Sequence, residues 1–177
     1  MLIFLFRAVC ALMFSLVFAS GAYAAPPVRI AFVDTGNTGR SMTAAALAQA
    51  WASQHSAHVA VISRAVNLNP YNVVPEPDFV KLLTPLGIDV SAHRAAQFDK
   101  SVVNFSDFIF VMTPAHRDRI VSDYPESKAK VFLMAEYATG SPVEILDAYG
   151  QSAEFYATVF TQISGLVPML MEKLPKK

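Results

Sequence analysis

The stretch that decides the fold is VRIAFVDTGNTGRS, residues 28–41, in which an apolar run leads into a glycine-bearing loop. The run 28–33 is typical of a strand buried on both faces of a parallel sheet. A loop between the carboxyl end of a strand and the amino end of a helix directs backbone N–H groups toward one point, where the helix dipole favours an anion. Arg40 adds a planar fork of donors that matches phosphate. From spacing alone, an oxyanion-binding loop and an ordinary glycine-rich turn with a solvated arginine both remain open.

The rest of the chain alternates strand and helix patterns. Three further apolar runs occupy residues 59–63, 108–112 and 131–134. Helical patterns lie between or after them, at residues 41–53, 77–86, 114–124 and 152–174. Strands that alternate with helices predict an α/β fold, a three-layer sandwich with right-handed crossovers.

Several segments carry a family resemblance. The loop 34–41, DTGNTGRS, is similar to the phosphate-binding loop of the low-molecular-weight protein tyrosine phosphatases, in which a cysteine and five residues precede Arg-Ser. Further segments resemble that family in the same order: GIDVSAHRA at 87–95, SDFIFVMT at 106–113, YPE at 124–126, KVFLM at 130–134 and DAYG at 147–150. The resemblance covers residues 28–163 and implies a four-stranded parallel sheet flanked by helices.

The resemblance also implies roles for single residues. Arg40 matches the arginine that clamps phosphate, and Ser41 matches the hydroxyl that supports the nucleophile. Asp147 matches the general acid that protonates the leaving group, and the neighbouring Tyr149 is placed to stack on an aryl substrate. The implied phosphate-binding loop consists of Thr35, Gly36, Asn37, Thr38, Gly39, Arg40 and Ser41.

The departures from the family pattern concern the chemistry. Asp34 stands where the family has its cysteine nucleophile. Gly39 replaces a second cysteine of the family's loop, and Ala148 replaces the proline that follows the general acid. Loop N–H groups and Arg40 favour an ionised carboxylate at Asp34, which then fills the loop itself. A phosphate about 4 Å away meets repulsion of roughly 4 kcal/mol per charge pair at an effective dielectric near 20. We therefore expect weak binding of phosphorylated or other anionic ligands.

Two functions of different classes follow from these residues. The first is a catalytically degenerate phosphatase-like protein that retains an oxyanion-type loop. The second is an active phosphomonoester hydrolase in which Asp34 acts as nucleophile or as the base for a water molecule. Arsenate reduction on the same fold requires thiols and is excluded. No cofactor and no metal site are expected.

The first 24 residues are typical of a bacterial secretory signal peptide. Residues 2–19 are almost wholly apolar, broken only by Arg7, Cys10 and Ser15, and an Ala-Tyr-Ala site ends at Ala24. Cleavage there leaves 177 − 24 = 153 residues, a single phosphatase-like domain at 25–177 that is periplasmic or secreted. Retention of the segment as an anchor is the alternative. Without such an anchor no membrane span is expected, because no second apolar stretch approaches roughly 18 residues.

Charge and cysteine content limit the partners and the chemistry. The chain has 14 basic and 14 acidic residues, and loss of Arg7 with the leader gives 13 − 14 = −1. Nucleic-acid binding is not expected of a chain with this nearly neutral net charge. The one cysteine, Cys10, lies in the predicted leader, so residues 25–177 have no thiol for a disulfide, a thiolate metal site or covalent catalysis.

Export is directly testable. Mass spectrometry of the protein isolated from its native host should show a chain that begins at Ala25, because the Ala-Tyr-Ala site directs cleavage after Ala24. A full-length product recovered from the cytosol would contradict this prediction.

Overall fold

The computed structural model describes residues 25–176, and the predicted leader at 1–24 lies outside the described residues. Four strands form one parallel sheet in the order β2-β1-β3-β4. Their bounds are β1 Val28–Asp34, β2 Val59–Ala65, β3 Phe108–Val111 and β4 Val131–Leu133. The predicted four-stranded parallel sheet is therefore confirmed.

Six α-helices connect or follow these strands in the described chain. They are α1 Arg40–Gln54, α2 Pro77–Leu83, α3 Lys100–Phe105, α4 Pro114–Asp123, α5 Met134–Thr139 and α6 Ala153–Glu172. Side-chain caps begin α4 and α6: the Thr113 hydroxyl accepts the His116 N–H, and the Ser152 hydroxyl accepts the Phe155 N–H.

Three differences from the predicted elements have local causes. The helix predicted at 77–86 is α2 followed by a 3₁₀ turn, and it ends where Gly87 adopts a left-handed φ of 72°. Helices α3 and α5 were not predicted, since six residues are too few to show a helical period. The last strand stops at Leu133 because Met134 already begins α5.

The alternation of side chains along β1 produces the layers. Ile30 and Phe32 pack into a core with α1, α2, α5 and α6, whereas Ala31 and Val33 pack with α3 and α4 on the other face. These four side chains are fully buried, which explains why residues 30–33 are all apolar. No helix within residues 25–176 is both long and apolar enough to cross a bilayer.

Candidate functional site

The predicted loop lies at the carboxyl end of β1, which runs between β2 and β3 in the centre of the sheet. The connection after β1 leads to β2 and the one after β3 leads to β4 on the opposite side, and the crevice at such a reversal is the usual ligand position in open α/β sheets. Asp34 is the last residue of β1, and Arg40 is the first of α1. The loop is therefore held at both ends by regular structure.

Asp34 is turned inward at the base of the loop and is only 2% exposed. Its Oδ1 accepts the backbone N–H of Asn37 at 2.5 Å, and its Oδ2 accepts that of Ser41 at 2.8 Å. Both carboxylate oxygens thus bind N–H donors, one in the loop and one in the first turn of α1. Hydrogen bonds from N–H groups to a carboxylate are among the stronger ones in proteins.

Asn37 sets the shape of the loop. It has a φ of 59°, a conformation that asparagine tolerates better than most residues. Its side chain donates to the Ser41 hydroxyl at 3.0 Å and accepts the Ala96 N–H at 3.1 Å. Nε2 of His93 donates to the Asn37 carbonyl oxygen at 2.7 Å. The segment around His93, which resembled the family, therefore supports the loop from outside.

Arg40, the first residue of α1, is buried, at 4% exposed. One guanidinium nitrogen donates to the Ile145 carbonyl oxygen at 2.9 Å, and the other donates to Asp147 Oδ2 at 2.8 Å. The Asp147 carboxylate is half-exposed, so the pair bridges the buried loop and the surface segment 141–152. The structure thus brings together Asp34, Arg40 and Asp147, as the sequence predicts.

A cleft of about 280 Å³ opens above the loop. Thr35, Gly36, Thr38 and the three predicted catalytic residues contribute to its walls. Its remaining lining residues are Asn67, Asn69, Asn72, Glu76 and Tyr149. Tyr149 lies at the mouth of this cleft and is largely exposed, so its ring is accessible for the predicted stacking on a ligand. A larger cleft of about 660 Å³, between the ends of α1 and α6, contains none of the loop residues.

Glu76 is a buried carboxylate that sequence reasoning missed. Its oxygens accept the Thr38 hydroxyl at 2.9 Å and the Tyr156 hydroxyl at 2.8 Å. A side chain at Gly39 would place its Cβ 2.8 Å from Glu76 Oε1, so glycine leaves the room that Glu76 occupies. Burial raises the pKa of Glu76 above its usual value, against the opposing effect of these two hydrogen bonds.

His116 is a second missed residue and lies in the first turn of α4. Its Nε2 is 3.0 Å from the Thr35 hydroxyl, while its buried Nδ1 has no partner among the described residues. Burial, and then the positive charge of Arg40, lower the pKa of His116. No sequence signal identified this histidine, because the charged helix HRDR in which it stands is typical of a solvated face.

No group of three or more histidine, cysteine or acidic side chains suited to a metal ion occurs within residues 25–176. The acidic side chains of the cleft are held by other groups: Asp34 by N–H donors, Asp147 by Arg40, and Glu76 by two hydroxyls.

The raised pKa of Glu76 predicts a pH dependence of stability. Because its folded pKa lies above the unfolded value, its contribution is fully present below the unfolded pKa, near 4.5, and is lost as pH rises through the folded pKa. Urea titrations should therefore show Glu76→Gln gaining stability relative to the native protein between pH 4 and pH 7.

Tyr156→Phe provides the matched variant. It removes a hydrogen bond that favours the charged form, so the loss of stability with rising pH should extend to higher pH. A difference between native protein and Glu76→Gln that does not change with pH would refute the assignment.

Comparison with known proteins agrees with this architecture. The family model for low molecular weight phosphotyrosine protein phosphatase matches residues 29–177. A protein-arginine-phosphatase of Geobacillus stearothermophilus is 33% identical over 148 residues, which are 84% of this chain and 97% of that protein.

Solved structures agree as well. A low molecular weight protein tyrosine phosphatase from T. tengcongensis superposes with a TM-score of 0.78 at 31% identity, covering 83% of this chain and 99% of that one. A cysteine-to-serine mutant of YwlE arginine phosphatase with a phosphorylated active-site serine also gives 0.78 at 31% identity, covering 82% and 95%. The chain therefore belongs to the low molecular weight phosphotyrosine protein phosphatase family.

Proposed function

We propose that this protein is an exported, catalytically degenerate phosphatase-like protein. Its loop is occupied by the carboxylate of Asp34 and binds oxyanions weakly. The observation that carries the proposal is the pair of hydrogen bonds from Asn37 and Ser41 to the two oxygens of Asp34. Export rests on the predicted signal peptide alone.

The first argument is chemical. The cysteine mechanism of the family needs a thiolate, and residues 25–177 contain no cysteine. Asp34 occupies the position that the family resemblance assigns to the nucleophile. Its two oxygens are engaged by N–H donors and its side chain is 2% exposed, so attack on phosphorus requires breaking at least one of these hydrogen bonds.

The second argument is electrostatic. An arriving phosphate meets the negative charges of Asp34 and Asp147, and the guanidinium that would offset them already binds Asp147 and the Ile145 carbonyl oxygen. Each phosphate–carboxylate charge pair at about 4 Å costs roughly 4 kcal/mol at an effective dielectric near 20. This charge balance supports weak anion binding.

A third observation supports retention of the loop as an oxyanion site. The backbone N–H groups of Gly36, Thr38 and Gly39 have no acceptor within residues 25–176. These donors lie in the loop at the amino end of α1, where an anion is favoured. Relatives named as arginine and tyrosine phosphatases make phosphoarginine and phosphotyrosine side chains the ligands to test first.

Restoring the thiol tests the proposal. Asp34→Cys places a thiol among N–H donors and Arg40, which lower a thiol's pKa and favour the reactive thiolate. We expect para-nitrophenyl phosphate turnover near background in the native protein, with and without Mg²⁺, and clear turnover in Asp34→Cys. Adding Asp147→Asn should reduce that turnover by about 10²–10⁴-fold.

Asp118→Cys is the matched control, because it introduces a thiol on the exposed surface of α4. Its turnover of para-nitrophenyl phosphate should stay at background. Native turnover at or above ~1 s⁻¹ without metal would contradict the degenerate function. A folded Asp34→Cys that neither binds vanadate nor turns over would show that the loop does not bind oxyanions.

The second candidate is an active hydrolase that forms an aspartyl phosphate at Asp34. The phosphorylated active-site serine of the related YwlE mutant favours it, because a side-chain oxygen there carries a phosphoryl group. In this step a carboxylate oxygen of Asp34 bonds to phosphorus, the ester bond breaks, and Asp147 gives a proton to the leaving group.

Intact-mass measurement separates the two candidates. After incubation with para-nitrophenyl phosphate or a phosphoarginine peptide, the degenerate protein keeps its mass. An aspartyl enzyme gains one phosphoryl group, and the gain disappears in Asp34→Ala.

A further inference from the structure

The Thr35 hydroxyl has two neighbours and leaves one hydrogen-bonding direction open. His116 Nε2 lies 3.0 Å from Thr35 Oγ1, and Arg40 donates to the same oxygen over a longer distance of 3.5 Å. Thr35 is exposed and lines the cleft, whereas both of its partners are buried. The direction of the hydroxyl proton therefore depends on which nitrogen of the His116 ring carries hydrogen.

Burial selects between the two neutral forms of the ring. A hydrogen on Nδ1 would be a buried donor without a partner, since no acceptor for Nδ1 is found within residues 25–176. A hydrogen on Nε2 instead donates to Thr35 and leaves only a lone pair unpaired at Nδ1. Orphaned buried N–H groups are rarer in proteins than under-satisfied acceptors, so hydrogen on Nε2 is favoured.

The surroundings of His116 favour the neutral ring. Burial and the charge of Arg40 lower the pKa of His116, and the opposing effects of Asp34 and Asp147 are smaller. With Nε2–H and Arg40 both donating to Thr35 Oγ1, the oxygen acts only as an acceptor toward the protein. Its own proton then has no protein acceptor and is free to point into the cleft.

We propose that Thr35 is a ligand-binding residue whose hydroxyl, oriented by His116 and Arg40, donates to an oxyanion in the cleft. His116 is then a positioning residue that acts through Thr35. The inference rests on the proposed function, because it names a further donor for the same weak oxyanion site, separate from the backbone N–H groups of the loop.

The test uses inorganic phosphate and an Asp34→Ala background, which removes one negative charge and frees the Asn37 and Ser41 N–H groups. Calorimetric titration should show phosphate binding in Asp34→Ala. Adding Thr35→Val should weaken it about tenfold, the scale of a hydrogen bond to a charged group. Adding Thr35→Ser should change it by less than about twofold, since serine keeps the hydroxyl.

His116→Phe tests the positioning role. It should weaken phosphate binding when Thr35 is present and have no further effect after Thr35→Val, because the two residues act as a unit. Thr139→Val, a matched substitution in α5 where the hydroxyl binds the Ala135 carbonyl oxygen, should leave the affinity unchanged. Independent and additive effects of Thr35→Val and His116→Phe would overturn the positioning role.

Nitrogen-15 NMR of the native protein gives a readout that does not need a ligand. His116 should show hydrogen on Nε2 near pH 7, and hydrogen on Nδ1 would overturn the inference. Equal phosphate affinity in Asp34→Ala with and without Thr35→Val would overturn it while leaving the proposed function intact. Failure of Asp34→Ala itself to bind phosphate would overturn both.

Discussion

The loop depends on the two hydrogen bonds that the Asp34 carboxylate accepts. The carboxylate joins the end of β1 to the loop through Asn37 and to the first turn of α1 through Ser41. An internal anion thereby satisfies donors that a loop of this shape otherwise offers to a ligand. Under the proposed function, the same contact that stabilises the fold of the loop also competes with phosphate.

The polar residues around Asp34 are also bound by partners within the protein. Arg40 is bound by Asp147 and a backbone carbonyl, and Glu76 fills the space beside Gly39 while binding the Thr38 hydroxyl. Each group holds its neighbour in place through charge or hydrogen bonding. Within residues 25–176, the loop donors without an acceptor include the N–H groups of Gly36, Thr38 and Gly39, and the Thr35 hydroxyl is the further donor we propose.

The sequence predicts the parts of this arrangement that are local or periodic. The apolar run of β1, the loop that follows it and the helical pattern at 114–124 are contiguous signals, and the roles of Arg40 and Asp147 follow from the family resemblance. Glu76 and His116 escaped prediction because their contacts with Thr38 and Thr35 span 38 and 81 residues. Such contacts form only when the sheet brings distant loops to one edge. The spacing of residues along the chain therefore does not indicate them.

Amide hydrogen exchange at Asn37 and Ser41 tests the central claim most directly. If the Asp34 carboxylate binds these two N–H groups, both should exchange slowly in the ligand-free native protein. In Asp34→Ala both should exchange at least about tenfold faster, while amides of the central strand β3 stay unchanged. Rapid exchange at both positions in the native protein would contradict the account.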